Sequence, residues 1–254
     1  MPVFPTQGRS RYICRNSKGL EGVIELEMVV ASDYLHVGSG RKDIRLIKKV
    51  ENVEELIEKA LKGEWPNVES YFSRDVNLLN KQGEKIVIPG STIKGLIRSR
   101  LELSLTDACY IVSGRTTSSS KVYKKIFHYP KRKKRDDFDP EEHPDVCLVC
   151  NLLGNSGLAS RVSFSDFIMT SGKVVYVSKG RAVYEVVTKN SKFIGKVVYK
   201  SIKSEDELGM LLYGFGLRQD GSSKTMLLGR FKFSDKQFGR VKFFVKNMDI
   251  NAVK

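Results

Sequence analysis

The chain of 254 residues reads as an α+β protein, and three patterns carry that reading. Residues 22–31 alternate, with Ile24, Leu26, Met28 and Val30 on one side and Val23, Glu25 and Glu27 on the other, the period of a half-buried strand. An apolar run at 86–88 turns through Pro89-Gly90 into a helix that stacks Ile93, Ile97 and Leu101 along one side, with Ser91 as its expected N-cap. Stretches rich in valine and tyrosine at 161–167, 173–178, 182–187 and 193–200 read as further strands, separated by Gly and Asn-Ser. A helix over about 204–217, burying Leu208, Leu211, Leu212 and Phe215, leads to strands near 226–234 and 239–246. With insertions set aside, the order is strand, helix, strand, strand, helix, strand. That is the ferredoxin-like split arrangement, shared with RNA-recognition modules.

The whole of 1–254 is expected to be one domain, with core segments at about 22–48, 84–106 and 158–250 and insertions at about 49–83 and 107–157. The first insertion carries a helix over 52–62 with Val53, Leu56, Ile57, Ala60 and Leu61 on one face, closed by Gly63. The segment Leu35–Arg41 reads as a glycine turn too irregular to continue the ladder of the first strand. The second insertion is polar and contains the basic run Lys131–Arg135, which reads equally as a solvated loop. Trp65 reads as a packing anchor.

Lys and Arg total 44 against 29 Asp and Glu, a net charge of +15, so the natural counterpart is a polyanion. No apolar run approaches the roughly 20 residues that cross a bilayer, and the first residues lack the apolar core of a secretion signal. A soluble cytoplasmic protein with no membrane partner is expected. Four cysteines stand at 14, 109, 147 and 150. In a reducing compartment the close pair Cys147-x-x-Cys150 points to a metal or redox element. Tetrahedral Zn²⁺ needs two more ligands, with Cys109 the third and His143 the fourth, His128 being the alternative; Cys109 reads equally as a thiol buried at its helix end. Such a zinc would be structural and would staple an insertion too polar to build its own core.

Two segments closely resemble the signatures of a known family. Residues 86–102, Ile-Val-Ile-Pro-Gly-Ser-Thr-Ile-Lys-Gly-Leu-Ile-Arg-Ser-Arg-Leu-Glu, and residues 147–166, from Cys-Leu-Val-Cys-Asn-Leu-Leu-Gly to Phe-Ser-Asp, resemble the RAMP superfamily, whose members form RNA-binding subunits of CRISPR effector complexes. The likeness is greatest to the repeated backbone subunit of type III complexes. The resemblance implies partners: guide RNA, target single-stranded RNA, other complex subunits, and copies of the chain packed head to tail in a filament. It also implies guide contacts at His36, Ser39 and Arg41 after the first strand, at Ser91, Lys94 and Arg98 on the Pro-Gly-Ser helix, at Arg161, and at Lys224 in the closing glycine loop. Asp75, in a loop before the Pro-Gly turn, matches the aspartate that family members need for cutting target RNA, with Mg²⁺ as the expected cofactor; Asp33 and Asp43 are the reserves. From the residues alone, His36 reads equally as a packing group and Asp75 as a solvated turn aspartate.

One departure bears on the role. Only about 26 residues separate Asp166 from the strand at 193, too few for the family's long thumb hairpin. A non-catalytic guide-binding or capping subunit is therefore the second reading. A guide-maturation endonuclease is the third, and three histidines in the chain speak against it.

Overall fold

The computed structural model describes residues 9–11, 19–46, 53–64, 72–105, 108, 145–155, 158–180 and 182–252. In chain order the described elements begin with β1 (Arg9–Arg11), β2 (Leu20–Val30), β3 (Tyr34–Leu35), β4 (Gly38–Leu46), α1 (Val53–Leu61) and β5 (Phe72–Leu79). A short hairpin of β6 (Lys81–Gln82) and β7 (Lys85–Ile88) runs into α2 (Gly90–Ser104). Next come β8 (Asp145–Cys147), α3 (Leu148–Leu153), β9 (Val162–Phe164), β10 (Phe167–Ser171), β11 (Val174–Lys179), β12 (Ala182–Thr188) and β13 (Lys192–Ile202). The last are α4 (Glu205–Gly214), β14 (Met226–Leu227) and β15 (Arg240–Ala252).

The larger sheet has β2 at its centre, antiparallel to β13 on one side and to β15 on the other. β10 and β9 both pair with β13, β7 continues beyond β10, and β14 edges β15. The alternation read in 22–31 holds: Ile24, Leu26, Met28 and Val30 are fully buried. Phe193, Val197 and Tyr199 of β13 and Val241 and Phe243 of β15 join them in one core, which also holds Ile93, Ile97 and Leu101 of α2 and Leu208 and Leu211 of α4. Each such side chain contributes about 1.5–3 kcal/mol on burial. On the opposite face of the sheet, Glu27 and Glu25 meet Lys192 and Lys196 at 3.4 and 3.8 Å.

A second sheet runs β11-β12-β5-β4, with β3 also against β12. β12 and β5 are parallel, Val183 facing Val76 and Tyr184 facing Asn77. Tyr184, Val186 and Phe238 form a separate small cluster, with Tyr34 and Phe231 packed against it.

Several expectations are corrected. The stretches at 173–178 and 182–187 build this second sheet and not the main one, because their hairpin pairs with β5. The segment after the first strand does continue a ladder, as β3 and β4, once it has changed sheets. Asp75 lies within a strand, β5, and not in a loop. The expected strand at 226–234 stops at Leu227, since Gly229 and Phe231 both take left-handed backbone angles and the amides of Ser234 and Asp235 close a turn on the Phe231 carbonyl. The helix of the first insertion is present, but Val53, Ile57 and Leu61 on its apolar face are exposed. Trp65, Cys109, His128, His143 and the basic run 131–135 lie outside the described residues. Among the described residues, no helix is long and apolar enough to cross a membrane.

Candidate nucleic-acid interface

The two signature segments meet in space at the start of α2. β7 pairs with β10, Ile88 opposite Phe167, so the Pro-Gly turn lies against the turn between β9 and β10. The Gly90 amide donates to Asp166 Oδ1 at 2.8 Å, and Gln82 donates to the other carboxylate oxygen. Asp166 thus caps the helix from 76 residues away, placing negative charge at the positive end of the helix dipole. The N-cap residue is Pro89, with no side-chain cap bond, which corrects the assignment to Ser91. Gly90 is required by space: a Cβ there would lie 2.2 Å from the Phe164 carbonyl oxygen and 2.8 Å from that of Ser165. The exposed Ser91 follows directly on this junction.

Along α2 the cations are treated unequally. Arg98 is held inside, donating to the Gly154 carbonyl and to Glu102 Oε1 at 3.4 Å, its side chain 12% exposed. Lys94, one turn earlier and half-buried, makes no ion pair among the described residues. Its burial and the neighbouring Arg98 both lower its pKa by disfavouring the ammonium form. Arg100 is a second case. Its Nε donates to the Tyr213 carbonyl at 2.9 Å and its guanidinium lies 4.6 Å over the Tyr213 ring, while burial and Arg218 disfavour its charge. It too has no carboxylate partner among the described residues. Two half-buried cations on one helix, each with another cation close by, form a locus that gains from an arriving anion.

The remaining expected contacts are dispersed. Arg161 is buried, with its guanidinium donating to Glu207 at 2.8 and 2.9 Å, to the Ser201 carbonyl and to the Asn151 carbonyl. Its charge is matched inside the protein. His36 is 2% exposed; its Nδ1 donates to the Glu185 carbonyl at 2.7 Å, and its ring meets Tyr184 edge-on. Burial is the largest cause of its lowered pKa, so the neutral imidazole is the favoured form. Ser39 donates to the Leu78 carbonyl at 3.4 Å and accepts from the Arg41 amide at 3.1 Å, leaving the Arg41 side chain exposed. This first turn is tied toward α2 through Asn80, whose amide donates to the Val37 carbonyl and whose carbonyl accepts from Val87. Lys224 is exposed on the loop after α4, anchored by its amide to the Gly216 carbonyl at 2.7 Å.

Asp75 lies in β5 beside Val76, and the β4–β5 register sets Asp43 opposite Val76, so two aspartates occupy adjacent positions on neighbouring strands. The side chain of Asp75 is outside the described residues. Cys147 and Cys150 are both buried at the start of α3, where the Cys150 amide donates to Cys147 Sγ at 3.4 Å. Both sulfurs are at one helix end, an arrangement that suits two ligands of a tetrahedral zinc.

Sequence reading misses Asp166 as a helix cap, and it misses Arg230. For Arg230 a signal is present in the basic-aromatic alternation Gly229-Arg-Phe-Lys-Phe233, which reads as part of a strand.

No curated protein matches the chain. Among solved structures it is similar to a chain of the type III-B Cmr-beta complex bound to cognate target RNA, at 13% identity and a TM-score of 0.43, over 91% of this chain and 61% of that one. It is also similar to Csc2 of Thermofilum pendens, at 14% identity and a TM-score of 0.43, over 94% of this chain and 69% of that one. The family model of the RAMP superfamily matches residues 28–248, which contain both signature segments and every described strand of the larger sheet in whole or in part, and the chain belongs to that superfamily.

Proposed function

We propose that the protein is an RNA-binding subunit of a type III CRISPR interference complex, holding guide RNA through its phosphates and sugars so that the bases stay free to pair. The observation that carries this reading is the pair Lys94 and Arg100 on α2, half-buried cations without carboxylate partners among the described residues. Family membership and the net charge of +15 support it. The order β15-β2-β13-β10, with α2 and α4 in the connections, supports a ferredoxin-like core.

We infer further that the paired target strand is cut at Asp75. In this reading the protein holds the strand so that a 2′-hydroxyl attacks the adjacent phosphorus in line as the bond to the 5′-oxygen of the next nucleotide breaks, leaving a 2′,3′-cyclic phosphate and a 5′-hydroxyl, and a carboxylate assists charge or proton transfer. A Mg²⁺ ion held by Asp75 would supply stabilisation of the phosphorane charge. A Zn²⁺ on Cys147, Cys150, Cys109 and His143 would staple the second insertion. Copies packing head to tail through a heterologous interface would extend the site along the guide.

The test is binding and cutting of labelled single-stranded RNA, with and without Mg²⁺. The expected result is affinity that falls steeply with salt, and cutting that needs Mg²⁺ and is lost in Asp75→Ala while binding stays intact. RNA bound normally but never cut, by wild type or variant, leaves the non-catalytic subunit as the correct reading.

A further inference from the structure

The turn between β14 and β15 carries charge that the fold leaves unmatched. Gly229 lies so close to the first turn that a Cβ would fall 2.4 Å from the His36 carbonyl oxygen, and that carbonyl accepts from the Arg230 amide at 2.9 Å. The Arg230 side chain is thereby set 5.1 Å from the Tyr184 ring centre and 5.4 Å from that of Phe231, exposed. Phe231 takes φ +62°, a left-handed conformation that a bulky residue rarely adopts. Such strain persists where surrounding structure over-determines it, and it concentrates at ligand clamps. Here it is enforced by edge-on packing of Phe231 on Tyr184 at 4.9 Å and on Phe238 at 5.2 Å.

Lys232 follows, half-buried, 5.1 Å from the Phe233 ring centre and pressed against Gly239. Burial lowers its pKa, and no carboxylate among the described residues offsets that cost. Lys179 stands in contrast. It lies over the Phe231 and Phe238 rings at 4.8 and 4.9 Å but is paired with Asp235. The corner therefore has one neutralised cation and two open ones, two residues apart on a turn whose shape is fixed by aromatic packing.

Its place in the fold gives the open cations a direction. Tyr184, under Arg230, faces Asn77 across the parallel β12–β5 pair, and Asn77 is two residues from Asp75. At about 3.3 Å per residue, Asn77 is roughly 7 Å along β5 from the Asp75 backbone, with Tyr184 and then Arg230 lying to the side of it. The first glycine turn, with exposed Arg41, begins directly beneath Gly229.

We propose that Arg230 and Lys232 form a second phosphate-binding corner, separate from α2, which seats the backbone of single-stranded RNA beside the strand that carries Asp75. This rests on the RNA-binding reading. Phosphate contact restores a counter-charge to Lys232 and leaves the planar Arg230 guanidinium stacked on Tyr184. Sequence is not read here, since the donors are cations facing a repeating anion.

The experiment measures binding of a fluorescein-labelled single-stranded RNA of about 20 nucleotides to the full chain across a series of KCl concentrations, by anisotropy. Variants are Arg230→Gln with Lys232→Gln, the charge-keeping Arg230→Lys with Lys232→Arg, and as control Lys59→Gln with Lys62→Gln, two lysines already paired with carboxylates on α1. The first pair is expected to weaken binding about tenfold near 0.1 M salt and to flatten the salt slope by about 0.7 for each phosphate the protein no longer neutralises. The charge-keeping pair should retain most of the affinity. An unchanged slope in the first pair, or an equal loss in the control, overturns the corner while leaving RNA binding standing. A wild-type chain that binds no RNA at any salt overturns the corner and the functional reading together. Unfolding midpoints matched to wild type show that the variants fold.

Discussion

The two sheets hold their positive charge by different means. In the larger one and the helices packed on it, four cations are matched by carboxylates, Arg161 with Glu207, Arg98 with Glu102, Lys192 with Glu27 and Lys196 with Glu25, while Lys94 and Arg100 of α2 are not matched among the described residues. In the smaller one, buried Glu185 of β12 takes Lys81, while Lys179 and Arg230 rest on the rings of Tyr184, Phe231 and Phe238, Lys179 alone of these two also reaching a carboxylate among the described residues. A cation locked to a carboxylate is a structural part whose removal is felt as lost stability. A cation seated on a ring keeps its charge available, because the ring quadrupole attracts it without neutralising it. A net charge of +15 is therefore a poor measure of binding capacity, since part of it is locked into architecture and part, on α2 and at the turn between β14 and β15, stays available.

The sharpest way to break this division is Arg161→Met. The side chains of Arg161 and Glu207 are 4% and 11% exposed, so the change strands a largely buried carboxylate. The expected cost is about 3–5 kcal/mol, read as a lower denaturation midpoint in urea. RNA affinity of the fraction that remains folded should match wild type. A stable variant with weakened RNA binding would show that Arg161 serves a ligand and not the fold, and the division between the two sheets would fail.

What the sequence shows and hides follows the same line. The alternation of 22–31 is legible because β2 is buried on one side and half-buried on the other, so each residue reports its own environment. The Pro-Gly turn is legible because turn chemistry is local. The pairing of Val183 with Val76 is not, since a parallel bridge between strands so distant in the chain leaves no mark in any local window. Asp166 is recognisable as part of a motif, but its task as cap of Gly90 depends on β10 pairing with β7. Arg161 stands out for its charge, and no local pattern shows that Glu207 matches it. Burial of His36 is equally hidden, because the glycine turn around it looks like surface until Gly229 and Tyr184 close over it.

His36 gives a smaller, pH-dependent test of the second region. Its folded pKa is lowered from 6.5, mainly by burial, with Arg230 adding to the effect and the bond to the Glu185 carbonyl opposing it. The unfolded chain therefore binds a proton that the folded chain resists. The contribution is complete above 6.5 and is lost as pH falls from there toward the folded pKa. Across that window the slope is at most about 1.4 kcal/mol per pH unit. Thermal melts at pH 7.5 and 5.5, both chosen conditions, should show wild type losing more stability on acidification than His36→Gln. Equal losses would mean that the imidazole is not held neutral in this corner.

The smallest expected effect concerns Gly95, one residue after Lys94 on the exposed side of α2, where an added Cβ meets nothing within 4 Å. Glycine inside a helix costs about 0.5–1 kcal/mol relative to alanine, so Gly95→Ala should raise stability by that amount. The fold gives no packing reason for glycine here, unlike Gly90, where a Cβ would collide with the strand turn. If an RNA backbone lies along α2 over Lys94, the new methyl group stands in its path. A variant that melts higher and binds RNA several-fold more weakly is the expected outcome. Unchanged affinity with raised stability would move the strand off this face of α2 and leave the ring-seated cations of the second sheet as its main support.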